Sequence, residues 1–212
     1  MGPLATRYIT CSAAVCRNSV LKNRSKIYES TVTNASEFME ELYRHFAITY
    51  PKFYKMDNLS KLGFLASEVL LSDLPQIKNY RPEEVGVVLS NANSSLDTDI
   101  RFYQTVDQLA SPALFVYTLP NIVIGEICIR NHFNGENAFF VSEKFDPVLI
   151  EQYVNNLINN NILQSCICGW VDYLAPRYEA VLYFVTKESS NPEQELVFNL
   201  ENIKKIYKEA HE

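Results

Sequence analysis

The pentapeptide Val85–Leu89 (VGVVL) constrains the fold more than any other stretch of this chain. It has no polar position, so neither face of an extended strand there can sit in water. Such strands belong to sheets covered by helices on both sides. The surrounding sequence supplies the rest of that architecture. Tyr8–Val15 is short, apolar and rich in β-formers, and predicts a first strand. Asn34 with Glu37 gives a capping-box-like start, and Phe38, Leu42 and Phe46 then repeat every fourth residue until Pro51 ends the helix. Asp57 is placed to cap Asn58–Leu71, whose Leu59, Leu62, Ala66, Val69 and Leu70 form one apolar stripe.

Ser90–Asp99 is polar and turn-forming, and is expected as a loop. Pro120 suits the first position of a buried helix over Asn121–Phe133. Gly135–Asn137 predicts a turn and Ala138–Val141 a short strand. Asp146-Pro147 opens a helix through Leu149, Ile150, Tyr153, Val154, Leu157 and Ile158, which runs out in the asparagine-rich Asn155–Asn161. Ser165–Tyr173 and Glu179–Thr186 predict two more strands separated by Pro176. Glu188–Glu195 reads as polar surface, and a short helix is expected over Leu200–Ala210. The result is an α/β fold: a five-stranded, mostly parallel sheet with helices on both faces.

Length and charge narrow the function. No repeat or linker divides the 212 residues, so 1–212 is read as a single domain. Lysine plus arginine gives 19 against 25 acids, a formal net charge of −6, and no basic tract; nucleic-acid binding is not expected. No apolar run approaches the about 18 residues of a membrane span, and no charged-then-apolar leader stands in Met1–Val20. Cys11, Cys16, Cys128, Cys166 and Cys168 are odd in number and scattered through apolar stretches, as structural thiols in a reducing, cytoplasmic setting would be. His45, His132 and His211 lie far apart, and none has metal-site spacing from a cysteine pair. No metal and no cofactor are expected.

Several segments, in order, resemble the amino-terminal half of a β-ketoacyl-ACP synthase, a condensing enzyme of the thiolase-like fold. Tyr54-Lys55-Met56-Asp57-Asn58-Leu59-Ser60-Lys61-Leu62 resembles that family's helical opening. Arg81-Pro82-Glu83-Glu84-Val85-Gly86-Val87-Val88-Leu89-Ser90 is similar to its "P-E-x-V-G-V-V" strand. Ser111–Asn121, continuing to Gly125 and Ile129-Arg130, resembles the "P-N-x-x-x-G-x-x-x-I-R" loop and helix before the nucleophile. Gly135-Glu136-Asn137 stands at the family's "G-P-N", and Gln164–Tyr173 at the strand after the nucleophile helix. The resemblance spans most of Tyr8–Tyr173.

The departures are as informative. The family's cysteine nucleophile sits at the amino end of a helix, where the helix terminus favours the thiolate and backbone amides stabilise an oxyanion. The corresponding position here is Lys144, or Glu143 or Phe145 if the register slips by one. Lysine nucleophiles form Schiff bases with carbonyls, and thioesters are outside their chemistry. The family's second half, with its pair of histidines, has no counterpart in these residues. The resemblance therefore implies no catalytic residue. It implies a shortened, chain-length-factor-like pseudoenzyme of the aryl-polyene or flexirubin type that dimerises with a full-length ketosynthase and meets acyl carrier protein indirectly.

By the same resemblance, Ala138–Ser142 is the pairing edge and Ser111–Thr118 shapes the mate's acyl tunnel. Leu114, Phe115, Ala138, Phe139, Phe140 and Val141 are then the interface and tunnel candidates. Two alternatives stay open. One is an acyltransferase or thioesterase using Cys128 or Cys166; the other is a homodimeric acyl-chain or carrier-protein binder. Arg7, Lys22, Arg24 and Lys26 are candidates for a local basic patch. A half fold of this kind should leave one face to be covered by the last helix or by a partner.

Overall fold

The structure, a computed structural model, describes residues 6–107, 109–189, 191 and 195–212. Part of the predicted polar segment Glu188–Glu195 lies outside these residues, as does the start of Met1–Val20. In chain order the elements are β1 (Tyr8–Cys16), β2 (Ser19–Lys22), β3 (Ser25–Glu29), α1 (Ala35–His45), α2 (Asn58–Leu71), β4 (Val85–Asn91), α3 (Leu96–Val106), α4 (Pro112–Val116), α5 (Ile122–Asn131), β5 (Asn137–Val141), α6 (Pro147–Asn159), β6 (Ser165–Leu174), β7 (Arg177–Thr186), β8 (Leu196–Val197) and α7 (Leu200–Glu209). Short 3-10 turns precede α2 at Pro51–Lys55 and β4 at Pro82–Glu84.

One mixed sheet of eight strands runs β3-β2-β1-β7-β6-β4-β5, with β8 added beside β1. The five predicted strands are β1, β4, β5, β6 and β7. β4 pairs parallel with both β5 and β6, whereas β7 is antiparallel to β6 and to β1. Four of the five therefore share a direction. β2, β3 and β8 enlarge the sheet beyond five strands. β3 was hidden because Ser25–Glu29 is mostly exposed and polar, so no apolar alternation marks it, and β2 and β8 are only four and two residues long.

Val85–Asn91 is buried along its whole length. On one face α1, α2 and α5 pack through Phe38, Leu62, Leu65, Val123 and Ile127 against Val87, Leu89, Ile167 and Leu182. On the other, α6 and α7 bring Ile150, Val154, Ile158, Ile203 and Ile206 against Val88, Cys166, Cys168 and Tyr183. The C-x-C pair thus shares one face of β6, as period two requires. α6 and α7 together cover this second face.

The caps follow the sequence closely. Asn34 accepts from the Ser36 and Glu37 amides, Asp57 from Ser60, and Asp146 from Val148 and Leu149. Three boundaries move. α5 begins at Ile122 behind an Asn121 cap, so Pro120 lies just outside the helix. α1 stops at His45, before Pro51, because Ala47 takes a left-handed conformation (φ 49°) and turns the chain. The expected loop Ser90–Asp99 is mostly regular structure. Ser90 and Asn91 stay in β4, fully buried, and α3 begins at Leu96. Polar composition misled there, because Asn91 spends its side chain locally, accepting from Ser94 N and donating to Ser94 O.

Candidate functional site

β5 leaves the sheet at Val141, and a short turn, Ser142–Asp146, feeds α6. Gly135 fixes where β5 starts. Its amide donates to Val85 O at 3.2 Å, and a Cβ there would stand 2.4 Å from that same oxygen. The turn after β5 is the strand-to-helix corner at which the sequence resemblance places a nucleophile. Lys144 is exposed there, and its side chain makes no hydrogen bond or ion pair among the described residues. Phe145 is buried and stacks on Tyr207 at 4.6 Å, edge-on to Trp170 at 5.9 Å.

The helix tip itself is occupied. Asp146 Oδ1 accepts from Val148 N at 2.9 Å and Leu149 N at 3.2 Å. The amides that would steady a thiolate or an oxyanion are consumed by the chain's own carboxylate, which also neutralises the helix dipole. A cleft of about 610 Å³ opens beside it, lined by Ser142–Val148, Lys204 and Tyr207, and holds neither thiol nor imidazole among its lining residues.

A second cleft, about 790 Å³, adjoins the same turn and does bring a cysteine and a histidine together, Cys16 and His211. Their surroundings exclude a nucleophile–base pair. His211 Nδ1 faces Tyr207 O at 2.7 Å and Nε2 faces the Glu179 carboxylate, so neither ring nitrogen is left for the thiol proton. Cys16 Sγ donates to Ala210 O at 2.8 Å, and burial together with nearby Glu179 pushes its thiol up to about 11. Glu179 also accepts from Trp170 Nε1 at 2.7 Å and Tyr207 at 3.1 Å. The trio is a structural lock for the end of α7.

The other thiols are no better placed. Cys128 lies half-buried within α5, its thiol raised to about 11 chiefly by burial. Cys166 is fully buried in the middle of β6. His45 ends α1 and His132 caps α5, each far in the chain from any cleft thiol. The proposed basic patch dissolves into local contacts. Arg7 is buried against Asn159, Lys22 reaches Ser72, Arg24 pairs with Glu209, and Lys26 pairs with Glu29.

What the fold presents instead is an apolar surface. Of the eleven residues of α3 only Thr98 is buried, and Leu96, Ile100, Tyr103 and Val106 point to solvent along one stripe. Phe102 meets Phe115 of α4 at 5.5 Å, and Phe115, Val116 and Leu119 are each more than half exposed. Leu114 is half-buried. Buried polar bonds hold this layer in place. Thr98 Oγ1 donates to Asp57 Oδ2 at 2.7 Å, Ser95 to Thr118 O at 2.7 Å, and Tyr117 to Glu126 at 3.0 Å, with Lys52 closing on Glu126 at 2.8 Å. The i, i+4, i+7 spacing of Leu96, Ile100 and Tyr103 was a legible sign of α3, masked by the surrounding aspartates.

β5 is an edge strand: β4 covers one side and no described strand the other. Ala138, Phe139 and Phe140 are half-buried and Val141 is 57% exposed. Phe139 leans on the α2–α5 core and Phe140 on the α6 side, edge-on to Tyr153 at 5.0 Å. The structure thus buries none of the six candidates outright: Phe115 and Val141 are exposed, and Leu114, Ala138, Phe139 and Phe140 are half-buried on α4 and β5.

No family model and no curated protein matches the sequence. Among solved structures the chain is similar to an ishigamide ketosynthase/chain length factor, at 17% identity over 88% of this chain and 63% of that one (TM-score 0.59). It is similar at 10% identity to a Xenorhabdus doucetiae structure of a ketosynthase, ApeO, in complex with its chain length factor, ApeC, over 88% and 81% of the two chains (TM-score 0.55). A β-ketoacyl synthase from Burkholderia phymatum matches at 10% identity over 87% and 59% (TM-score 0.59). The chain spans less than two thirds of the first of these relatives. At such identities the likeness establishes the fold, the thiolase-like α/β fold of ketosynthases.

Proposed function

We propose that this chain is a non-catalytic, chain-length-factor-like subunit that partners a full-length β-ketoacyl-ACP synthase. It would act in extending a fatty-acid- or polyene-type acyl chain carried on acyl carrier protein. The observation that carries this reading is the tip of α6, where a condensing enzyme needs a thiol backed by free amides. Here Lys144 is solvent-exposed and Asp146 takes the amides. The apolar α3–α4 layer and the β5 edge support the rest, since exposed apolar area of this kind marks an interaction surface. The naming of similar structures as ketosynthase/chain length factor complexes agrees with it. The free thiols are in keeping with a reducing, cytoplasmic setting.

In this role Phe115, Leu114 and the β5 residues 138–141 contact the synthase, and carrier protein reaches the complex through the synthase subunit. Co-expression with a ketosynthase from the same host tests the proposal. The two chains should co-purify in equal amounts, and an acyl-donor thioester should label the synthase alone. Covalent acyl label on this chain, or its failure to hold any ketosynthase, refutes it.

A further inference from the structure

The cleft at the amino end of α6 has walls and a rim of different chemistry. Phe145, Pro147, Val148 and Tyr207 make an apolar trough of about 610 Å³, and Val148 is 39% exposed. That volume lies within the range of small-molecule sites, which are mostly apolar with a few placed polar groups. At the rim stand Lys144 from the corner and Lys204 from α7, both exposed. Neither amine has a hydrogen bond or an ion pair among the described residues, although two carboxylates, Glu143 and Asp146, share the lining.

The two acids play different parts. Asp146 is committed to the Val148 and Leu149 amides, where its charge is set against the α6 dipole. Glu143 is exposed and has no partner among the described residues. Set against Glu143, the two amines leave one positive charge in excess beside an apolar trough.

We propose that this cleft binds a free organic acid, a monocarboxylate with an apolar tail. The carboxylate sits between the Lys144 and Lys204 ammonium groups, and the tail lies along Phe145, Pro147, Val148 and Tyr207. One excess charge matches one carboxylate, and apolar walls strengthen a charge-assisted bond by thinning out the water around it. A thioester fits poorly. It brings no charge for the amines, and the α6 amides that would hold its oxygen are taken by Asp146. The site belongs to this chain alone and does not depend on how the chain docks.

Trp170 reports on the cleft, because it is the chain's single tryptophan and meets Phe145 edge-on at 5.9 Å. Titration of the purified chain with octanoate at neutral pH, followed by calorimetry and by Trp170 emission, should saturate. The same titration with 1-octanol, which has the tail without the charge, should not. Lys144→Ala and Lys204→Ala should each weaken octanoate binding by about tenfold. Val148→Glu, which sets a carboxylate in the trough from an exposed position, should abolish it. Lys205→Ala, one residue on and outside the lining, should leave the affinity as it was. No saturable heat or emission change with octanoate, an equal response to 1-octanol, or equal losses from Lys205→Ala and Lys204→Ala overturns the inference. A chain that ignores octanoate yet co-purifies with a ketosynthase overturns this inference alone and leaves the proposed function standing.

Discussion

α3 and α7 are amphipathic helices of nearly equal length, and they turn their apolar stripes in opposite directions. α7 buries Ile203 and Ile206 against the sheet and shows Glu201, Lys204, Lys205 and Lys208 to water. α3 shows Leu96, Ile100, Tyr103 and Val106 to water and buries Thr98. One helix is held by apolar burial, the other by a hydroxyl–carboxylate bond. The α6–α7 face is thus satisfied within this chain, and its outer residues, including Asn155 and Asn159 on α6, invite nothing apolar. The α3–α4 face is turned outward on a polar footing, and its apolar residues stay exposed in this chain.

Breaking each face should therefore cost a different quantity. Ile206→Ala on α7 should lower unfolding free energy by about 2–4 kcal/mol through a cavity in the α6–α7 layer, read by denaturant titration. Phe115→Ala on α4 should do the reverse. Stability should change by less than about 0.5 kcal/mol because the side chain is mostly in water. Affinity for a ketosynthase should fall by about 2 kcal/mol or more, roughly thirtyfold, if Phe115 is an interfacial anchor. Equal effects of the two substitutions on both measurements would erase the distinction between the faces.

Thr98→Val sharpens the comparison. It removes the donor to the Asp57 carboxylate and should cost about 1–3 kcal/mol, with loss concentrated in faster amide exchange across α3. The smallest effect is on pH. Burial raises the Asp57 carboxyl above its ordinary value, outweighing its bonds to Ser60 and Thr98. The folded state thus favours the protonated acid. Asp57's contribution to stability is present in full below the ordinary aspartate range and is lost as pH rises through the raised value. Asp57→Asn keeps the cap to Ser60 and should remove that decline; a variant whose pH profile superimposes on the parent's contradicts this.

Most of the scaffold was readable because its signals are local. Asn34, Asp57 and Asp146 cap the helices expected of them, and the all-apolar Val85–Leu89 is a central strand. The β2–β3 hairpin was not readable: β3 is mostly in water, β2 is only four residues long, and the pair exists because β1 offers an edge to pair with. α3 was missed because Asp97 and Asp99 give it a loop's composition, and its apolar stripe faces away from any core in the chain. The corner at Lys144 could be located from the flanking segments, and Asp146 was legible as the cap that fills the helix tip. Sequence alone did not reveal that Cys16, His211 and Glu179 meet in a cleft, since they come from β1, the second residue past α7, and β7.

Hydrogen exchange on this chain with and without a ketosynthase tests the account most directly. Added protection should map to residues 96–119 and 137–141, with α6 and α7 exchanging as in the free chain. Protection confined to 147–159 and 200–209, or none anywhere, would contradict it.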